Sequence, residues 1–253
     1  MKKKAQIRYA VSFVILIVLL LLLFFWNINA GSVQMSVKEI FDIIVKKTGE
    51  QTACNIVWQI RLPRILAALL LGGALSVSGF LLQTFFGNPI AGPFVLGISS
   101  GAKLVVSLVM IFLLSRGIAS SSLVMILAAF VGSMISMGFI LLVSRKVKRM
   151  SMLVICGVMI GYICSAVTDF VVTFADDSNI VNLHNWSLGS FSGMTWENVQ
   201  MIVVIVAVGV VITFLLAKPI GAYQMGETYA RNMGVNVKLL RIGLILLSSM
   251  LSA

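Results

Sequence analysis

Runs of roughly twenty residues with almost no charge recur along this sequence, and very few architectures can absorb them. About twenty helical residues span the hydrocarbon core of a bilayer. Seven such apolar segments lie at about 9–28, 65–86, 94–114, 122–143, 151–174, 198–217 and 239–253. Of the 253 residues, 60% are hydrophobic and only 11% charged, too few charges for a soluble domain to cover its surface. The runs are long and unbroken, whereas the strands of a membrane barrel alternate over short segments. The expected fold class is an all-α membrane protein, a polytopic helical bundle.

The first run follows Met1-Lys2-Lys3-Lys4, as a signal peptide would, and Ile28-Asn29-Ala30 resembles a cleavage site. Its apolar stretch from Tyr9 to Trp26 exceeds the usual signal core, which favours a retained anchor with a cytoplasmic N-terminus. Alternating the loops from there places twelve basic residues inside, around 2–8, 145–149 and 218–241. Six lie outside (Lys38, Lys46, Lys47, Arg61, Arg64 and Arg116), and Lys103 falls within a span. The acids Glu39, Asp42, Glu50, Asp176, Asp177 and Glu197 also lie outside. This asymmetry follows the positive-inside rule. It accounts for most of the net charge of +11 without a nucleic-acid partner. Cys54, Cys156 and Cys164 have no metal-ligand spacing and read as small hydrophobes.

Two outside segments carry structure of their own. Val37 to Lys47 has helical periodicity and is expected to lie on the membrane surface. Asp176 to Glu197 is polar with Trp186 and Trp196, which suits an interfacial cap over a cavity or simple interface anchoring. The last apolar run ends at Ser252-Ala253 after about fifteen residues, so the sequence is expected to be C-terminally truncated. Arg61-Leu62-Pro63-Arg64-Ile65 and Lys238-Leu239-Leu240-Arg241-Ile242 echo each other at the start of the second and seventh runs. The topology gives those runs opposite directions, as in an inverted repeat; chance similarity between Leu-rich stretches is the alternative.

Longer patterns are more specific. One runs from Trp58-Gln59-Ile60-Arg61-Leu62-Pro63-Arg64 through Gly72-Gly73-Ala74-Leu75, Ser78-Gly79 and Gln83. It continues over Asn88-Pro89-Ile90-Ala91-Gly92-Pro93 to Leu96-Gly97-Ile98-Ser99-Ser100-Gly101-Ala102. The other is Gly226-Glu227-Thr228-Tyr229-Ala230-Arg231-Asn232-Met233-Gly234-Val235. Together they resemble the permeases of the iron-siderophore, haem and cobalamin ABC importers (type II, FecCD-like), from about residue 55 onward. The resemblance implies a single permease domain over 1–253, with about seven of about ten spans present and three more beyond Ala253.

Several residues make physical sense beside that resemblance. Gly72, Gly73, Ala74, Ser76, Ser78 and Gly79 give the second span a small-residue face suited to close helix packing. Asn88-Pro89 and Gly92-Pro93 break the helix. The resemblance implies a cytoplasmic gate there, with Asn88 and Ile90 joined by Met150 and Ser151 at the start of the fifth span. Arg61 and Arg64 either snorkel at the interface or, as the resemblance implies, meet carboxylates of an extracytoplasmic binding protein. The loop 218–238 reads as two short helices turning at Gly226 and Gly234. The resemblance makes it a cytoplasmic coupling loop on an ATPase subunit, with Gly226, Glu227, Ala230, Arg231 and Gly234 as its residues. Glu227 and Arg231 are also spaced for an i,i+4 ion pair. Asp169 lies near the outer end of the fifth span and either lines a vestibule or snorkels; Lys103 has no evident partner.

No catalytic set is visible. His184 is the sole histidine, and Gly189-Ser190-Phe191-Ser192-Gly193 lacks a central serine. Without a phosphate-binding Gly-x-x-x-x-Gly-Lys loop, ATP would be bound and hydrolysed by a separate subunit, and the chain itself carries no cofactor and is not an enzyme. The implied assembly is a second permease subunit, two cytoplasmic ATPase subunits and a binding protein, in the bacterial cytoplasmic membrane. The spans offer no cluster of carboxylates, histidines or thiolates for a bare metal ion. The expected cargo is a chelate, with ferric siderophore ahead of haem or cobalamin. The rival class is an ion-coupled secondary transporter, for which Asp169 alone qualifies as a membrane carboxylate.

Overall fold

The computed structural model describes residues 2–31, 33, 35–46, 48–114, 122–144, 150–175 and 177–253, with the side chains of 2–5, 114, 122, 144, 150, 151 and 177–179 outside the description. Its described residues form twelve α-helices and one π-helical segment. Two compact units divide them, residues 1–69 with 191–200 and residues 70–190 with 201–253.

The first unit begins with α1 (Lys2–Asn29) and α2 (Val37–Lys46). Ser36 and Glu39 start α2 with a reciprocal capping box: Glu39 N–H donates to Ser36 Oγ at 3.2 Å, and Ser36 N–H donates to Glu39 Oε2 at 2.8 Å. These bonds from Ser36 hold the Glu39 carboxyl below its ordinary range. Of the helix expected over 37–47, Val37–Lys46 is helical with Ile40 and Ile43 buried, and Lys47 lies outside the described residues. Then come α3 (Gln51–Asn55), the π-helical segment Ile56–Arg61 and α4 (Leu62–Phe86). A core of Ile28, Met35, Ile40, Ile43, Val57, Leu62 and Ile65 joins these pieces. Trp196 at the start of α9 (Trp196–Leu215) donates to the Trp58 carbonyl at 2.7 Å.

The second unit is built on α5 (Ile98–Leu114), α6 (Ser122–Ser144) and α7 (Met150–Val172), which pack on one another most extensively. Glycine permits that approach. A Cβ on Gly132 would come within 2.1 Å of the Gly101 carbonyl oxygen, and one on Gly97 within 2.8 Å of the Gly157 carbonyl and Gly161 backbone. Of the small-residue face expected along the second span, only part is packed within this chain. Around Gly72, Gly73 and Gly79 there is open space, while Ala74 and Ser78 of the same helix are buried. The next helix, α8 (Asp177–Leu188), lies within the stretch expected to cap a cavity and packs its Leu183 with Ala102 and Val106 of α5.

Three more helices complete this unit: α10 (Ala217–Gln224), α11 (Glu227–Asn232) and α12 (Val237–Ser252). Ser78 Oγ of α4 lies 2.8 Å from Ser248 Oγ of α12, and Tyr223 bridges Phe85 near one end of α4 to Arg241 near the start of α12. Those pairings make α4 and α12 antiparallel, as the expected inverted echo requires.

Apolar helices stand at all seven predicted places. Five are long and apolar enough to cross a membrane, namely Gln6–Asn29, Gln51–Phe86, Leu123–Val143, Met152–Val172 and Trp196–Leu215. The third and seventh predicted spans are shorter, because α5 starts only at Ile98 and α12 has 16 residues.

Candidate functional site

The helix break comes first in the chain. Gly87, at φ +55°, ends α4. Its N–H donates to the Thr84 carbonyl at 3.3 Å and that of Asn88 to the Gln83 carbonyl at 3.2 Å, a Schellman closure. Asn88 then folds its side-chain oxygen onto the Ile90 N–H at 3.0 Å, which satisfies a donor in a stretch that Pro89 and Pro93 keep out of helix. Ile90 and Phe94 stand exposed at 71% and 85%, whereas Ala91 and Leu96 are buried. Gly97, at φ +72°, brings the chain onto Gly157 and Gly161 of α7. Beside it opens a cavity of about 370 Å³ lined by Phe94, Ser100, Tyr162 and Ser165 among others. Of the expected gate residues, Asn88 and Ile90 thus share one turn. Helix α7 does begin at Met150, but the side chains of Met150 and Ser151 lie outside the described residues.

The loop after α9 has its own logic. Pro219 cannot donate to the Leu215 carbonyl, and α9 stops at Leu215. Helices α10 and α11 turn at Gly226 (φ +124°) and Gly234 (φ +81°), the two glycines expected to do so. At Gly234 the closing bonds are Gly234 N–H to Arg231 and Val235 N–H to Ala230, each 3.0 Å. Ala230 is fully buried and Ile220 and Tyr223 nearly so, which gives the loop a packed back. Its front shows Met225, Tyr229 and Met233, exposed at 70%, 42% and 64%.

Charge fixes the loop further. Arg231 donates to Glu227 Oε1 at 2.6 Å, the expected i,i+4 pair. Arg241 of α12 donates to Glu227 Oε2 at 2.8 Å and to the Tyr223 hydroxyl at 3.0 Å. The bond from Arg231, with the positive charges of both arginines, holds the Glu227 carboxyl below its ordinary range against the opposing effect of burial. Gln224 donates to Thr84 Oγ1 of α4 at 3.0 Å. The sequence pattern placed Arg241 among the inside basic residues and in the echo of the second run, but gave it no partner on Glu227, and it did not single out Tyr223, Gln224 or Thr84. These contacts cross 14 to 140 positions, and no spacing rule reaches that far.

The two arginines expected to act together are placed differently. Arg61 is buried, its guanidinium donating to the Ile28 carbonyl at 2.5 Å and the Val33 carbonyl at 2.6 Å, with Gly31 leaving it room. Arg64 is partly exposed and makes longer bonds to the Phe191 and Ser192 carbonyls, at 3.3 and 3.5 Å. Asp169 is exposed on α7, and Lys103 is half-buried on α5 with no ion pair to Asp169. Among the described residues, no group of three or more His, Cys, Asp or Glu could hold a metal ion.

Comparison with known proteins agrees with this architecture. The model of the FecCD transport family matches residues 19–253. The hemin transport system permease protein HmuU of Yersinia pestis is 30% identical over 253 residues, covering 99% of this chain and 74% of that protein. The vitamin B12 import system permease protein BtuC of Klebsiella pneumoniae is 34% identical over 185 residues, covering 73% of this chain and 55% of that protein. The chain therefore spans about three quarters of the first relative and just over half of the second. A solved structure assigned to the metal-chelate type of ABC transporter, in an inward-facing conformation, superposes with a TM-score of 0.76 at 24% identity over 94% of this chain and 72% of that one. An all-α, multi-pass membrane bundle with the helix break and two-helix loop described above, the chain belongs to the FecCD transport family.

Proposed function

We propose that the protein is the permease subunit of an ATP-driven importer, with the loop between α9 and α12 as the docking point for a separate cytoplasmic ATPase. One observation carries the reading. A short two-helix element presents Met225, Tyr229 and Met233 outward beside Glu227 and Arg231, while its back is packed and ion-paired. Monomeric surfaces seldom cluster exposed apolar side chains on so rigid a support without a partner. The family relationship supports an inner-membrane location, a second permease copy or relative, and ATP hydrolysis by the partner.

Arg64 is the docking arginine for the binding protein in this reading. Its guanidinium is accessible, whereas that of Arg61 is committed to two backbone carbonyls. Asn88 and Ile90, with Met150 and Ser151, form the cytoplasmic gate, and Asp169 faces the outer vestibule. The cargo is a chelated metal. The two relatives are named for hemin and vitamin B12, so those chelates stand beside the ferric siderophore as substrates to test.

Co-purification decides the central claim. The protein, co-expressed with an ATPase subunit of an importer of this family, should retain that subunit, and Tyr229→Glu or Glu227→Lys should lower the retained amount at least tenfold. Labelling of Tyr229→Cys from the extracytoplasmic side would end this reading.

A further inference from the structure

We propose that Arg241 is a positioning residue of the transport cycle, the joint of a strut carrying displacement of α11 into α12 and into the end of α4 beside the helix break. This rests on the loop being the ATPase docking point.

The geometry separates Arg241 from Arg231. Arg231 sits four residues from Glu227 on the same helix, 67% exposed, and moves wherever α11 moves. Arg241 belongs to another helix and is 30% exposed. One of its nitrogens binds the Tyr223 hydroxyl of α10, and another binds the Glu227 carboxylate of α11. A single planar group thus pins three helices. Its fork makes two bonds in fixed directions, which a lysine ammonium on a flexible stem cannot reproduce. The guanidinium carbon also lies 5.7 Å from the centre of the Tyr223 ring.

The path continues to α4. Gln224, next to Tyr223, donates to Thr84, and the Tyr223 hydroxyl lies 3.5 Å from the Phe85 carbonyl. Thr84 and Phe85 occupy the last turn of α4, immediately before the Gly87-Asn88 closure. Buried Ala230, Val237 and Leu240 fill the space behind these bonds. Asn236 accepts from the Leu239 N–H at 3.1 Å and fixes the start of α12. With polar ties at the rim and packed apolar groups behind, a push on α11 has no soft element in which to dissipate. Contiguous networks of this kind carry coupling between sites when they join rigid elements.

The test needs no knowledge of the cargo. The complete chain, assembled with its ATPase and binding protein, carries serine in place of its three cysteines and the added substitution Ile90→Cys. In inside-out vesicles, an impermeant maleimide labels that position with no nucleotide and with ATP plus vanadate. In the parent, the two rates should differ by about tenfold. Arg241→Gln should bring the ratio below about twofold, with the ATPase still bound and hydrolysing ATP, and Arg241→Lys should fall between. Lys238→Gln, which removes a nearby charge outside the network, should keep the parental ratio. A parental ratio in Arg241→Gln overturns the strut. Tyr223→Phe and Thr84→Val each remove one hydroxyl without changing charge. If Arg241→Gln fails to insert, lowered ratios in these two sustain the strut and parental ratios overturn it. A parent that retains no ATPase overturns the docking reading, whereas one that retains it without any labelling change overturns the strut and the gate assignment alone.

Discussion

The chain leaves regular helix at two places that serve the proposed cycle, and it holds them by different means. Residues 87–97 are fixed by shape: Gly97 sits against Gly157 and Gly161 so closely that a methyl group has no room. The loop from α10 to α11 is fixed by charge, with Glu227 shared between Arg231 and Arg241 and no glycine in crowded contact. Steric fit is unforgiving and short-ranged, as expected for a segment that must seal. A guanidinium fork shared between helices holds them in fixed directions while they shift together, as expected for a segment that must move with a partner.

Substitution at Gly97 should break the comparison most sharply. Gly97→Ala adds both left-handed backbone strain and overpacking, about 3 kcal/mol or more of lost stability. Thermal unfolding in detergent measures it, and a near-parental midpoint would show that the break is not held by shape. Arg61→Ala comes next, because it leaves the Ile28 and Val33 carbonyls without their donor at a cost of about 2 kcal/mol. Arg64→Ala should cost much less in the same measurement, its bonds being longer and wetter.

Glu227→Gln should lose under about 1 kcal/mol, since the carboxylate is 36% exposed and screened by solvent. Its acid dependence has a definite sign. The folded carboxyl is held below its ordinary 4.5, so its contribution is complete above that value and disappears as pH falls through the lowered one. Between pH 8 and 5 the deficit of Glu227→Gln relative to parent should stay constant, then vanish at lower pH, while the Gly97→Ala deficit persists. The smallest effect is expected for Lys46→Ala, whose 2.7 Å pair with Asp42 is 62% exposed on the lysine side; a change within about 0.5 kcal/mol that disappears in high salt would match.

What was legible in the sequence follows from the range of the forces involved. Helix placement came from runs of apolar residues, and the turns at Gly226 and Gly234 from residue type alone. The Glu227–Arg231 pair came from helical spacing. The second arginine on Glu227 is set by how α12 folds back, which no local pattern encodes. The same holds for the glycines: Gly72, Gly73 and Gly79 looked like a packing face, yet close contact through glycine arises at Gly97, Gly101 and Gly132, where the start of α5 meets α6 and α7. Arg61 and Arg64 look equivalent on paper. Their separation depends on the π-helical segment Ile56–Arg61 ending beside one carbonyl in the last turn of α1 and another just after it.

That buried guanidinium has a mechanical consequence. Within this chain helix α1 buries little besides Ile28 at its end, only 6% of its apolar window being buried, so little of the chain's own packing fixes its inclination. A helix longer than the local hydrocarbon thickness leans to bury its length. Because Arg61 grips the Ile28 carbonyl at the end of α1, such leaning pulls directly on the π-helical turn. Bilayer thickness thereby becomes a variable to which the π-helical turn before α4 is physically connected.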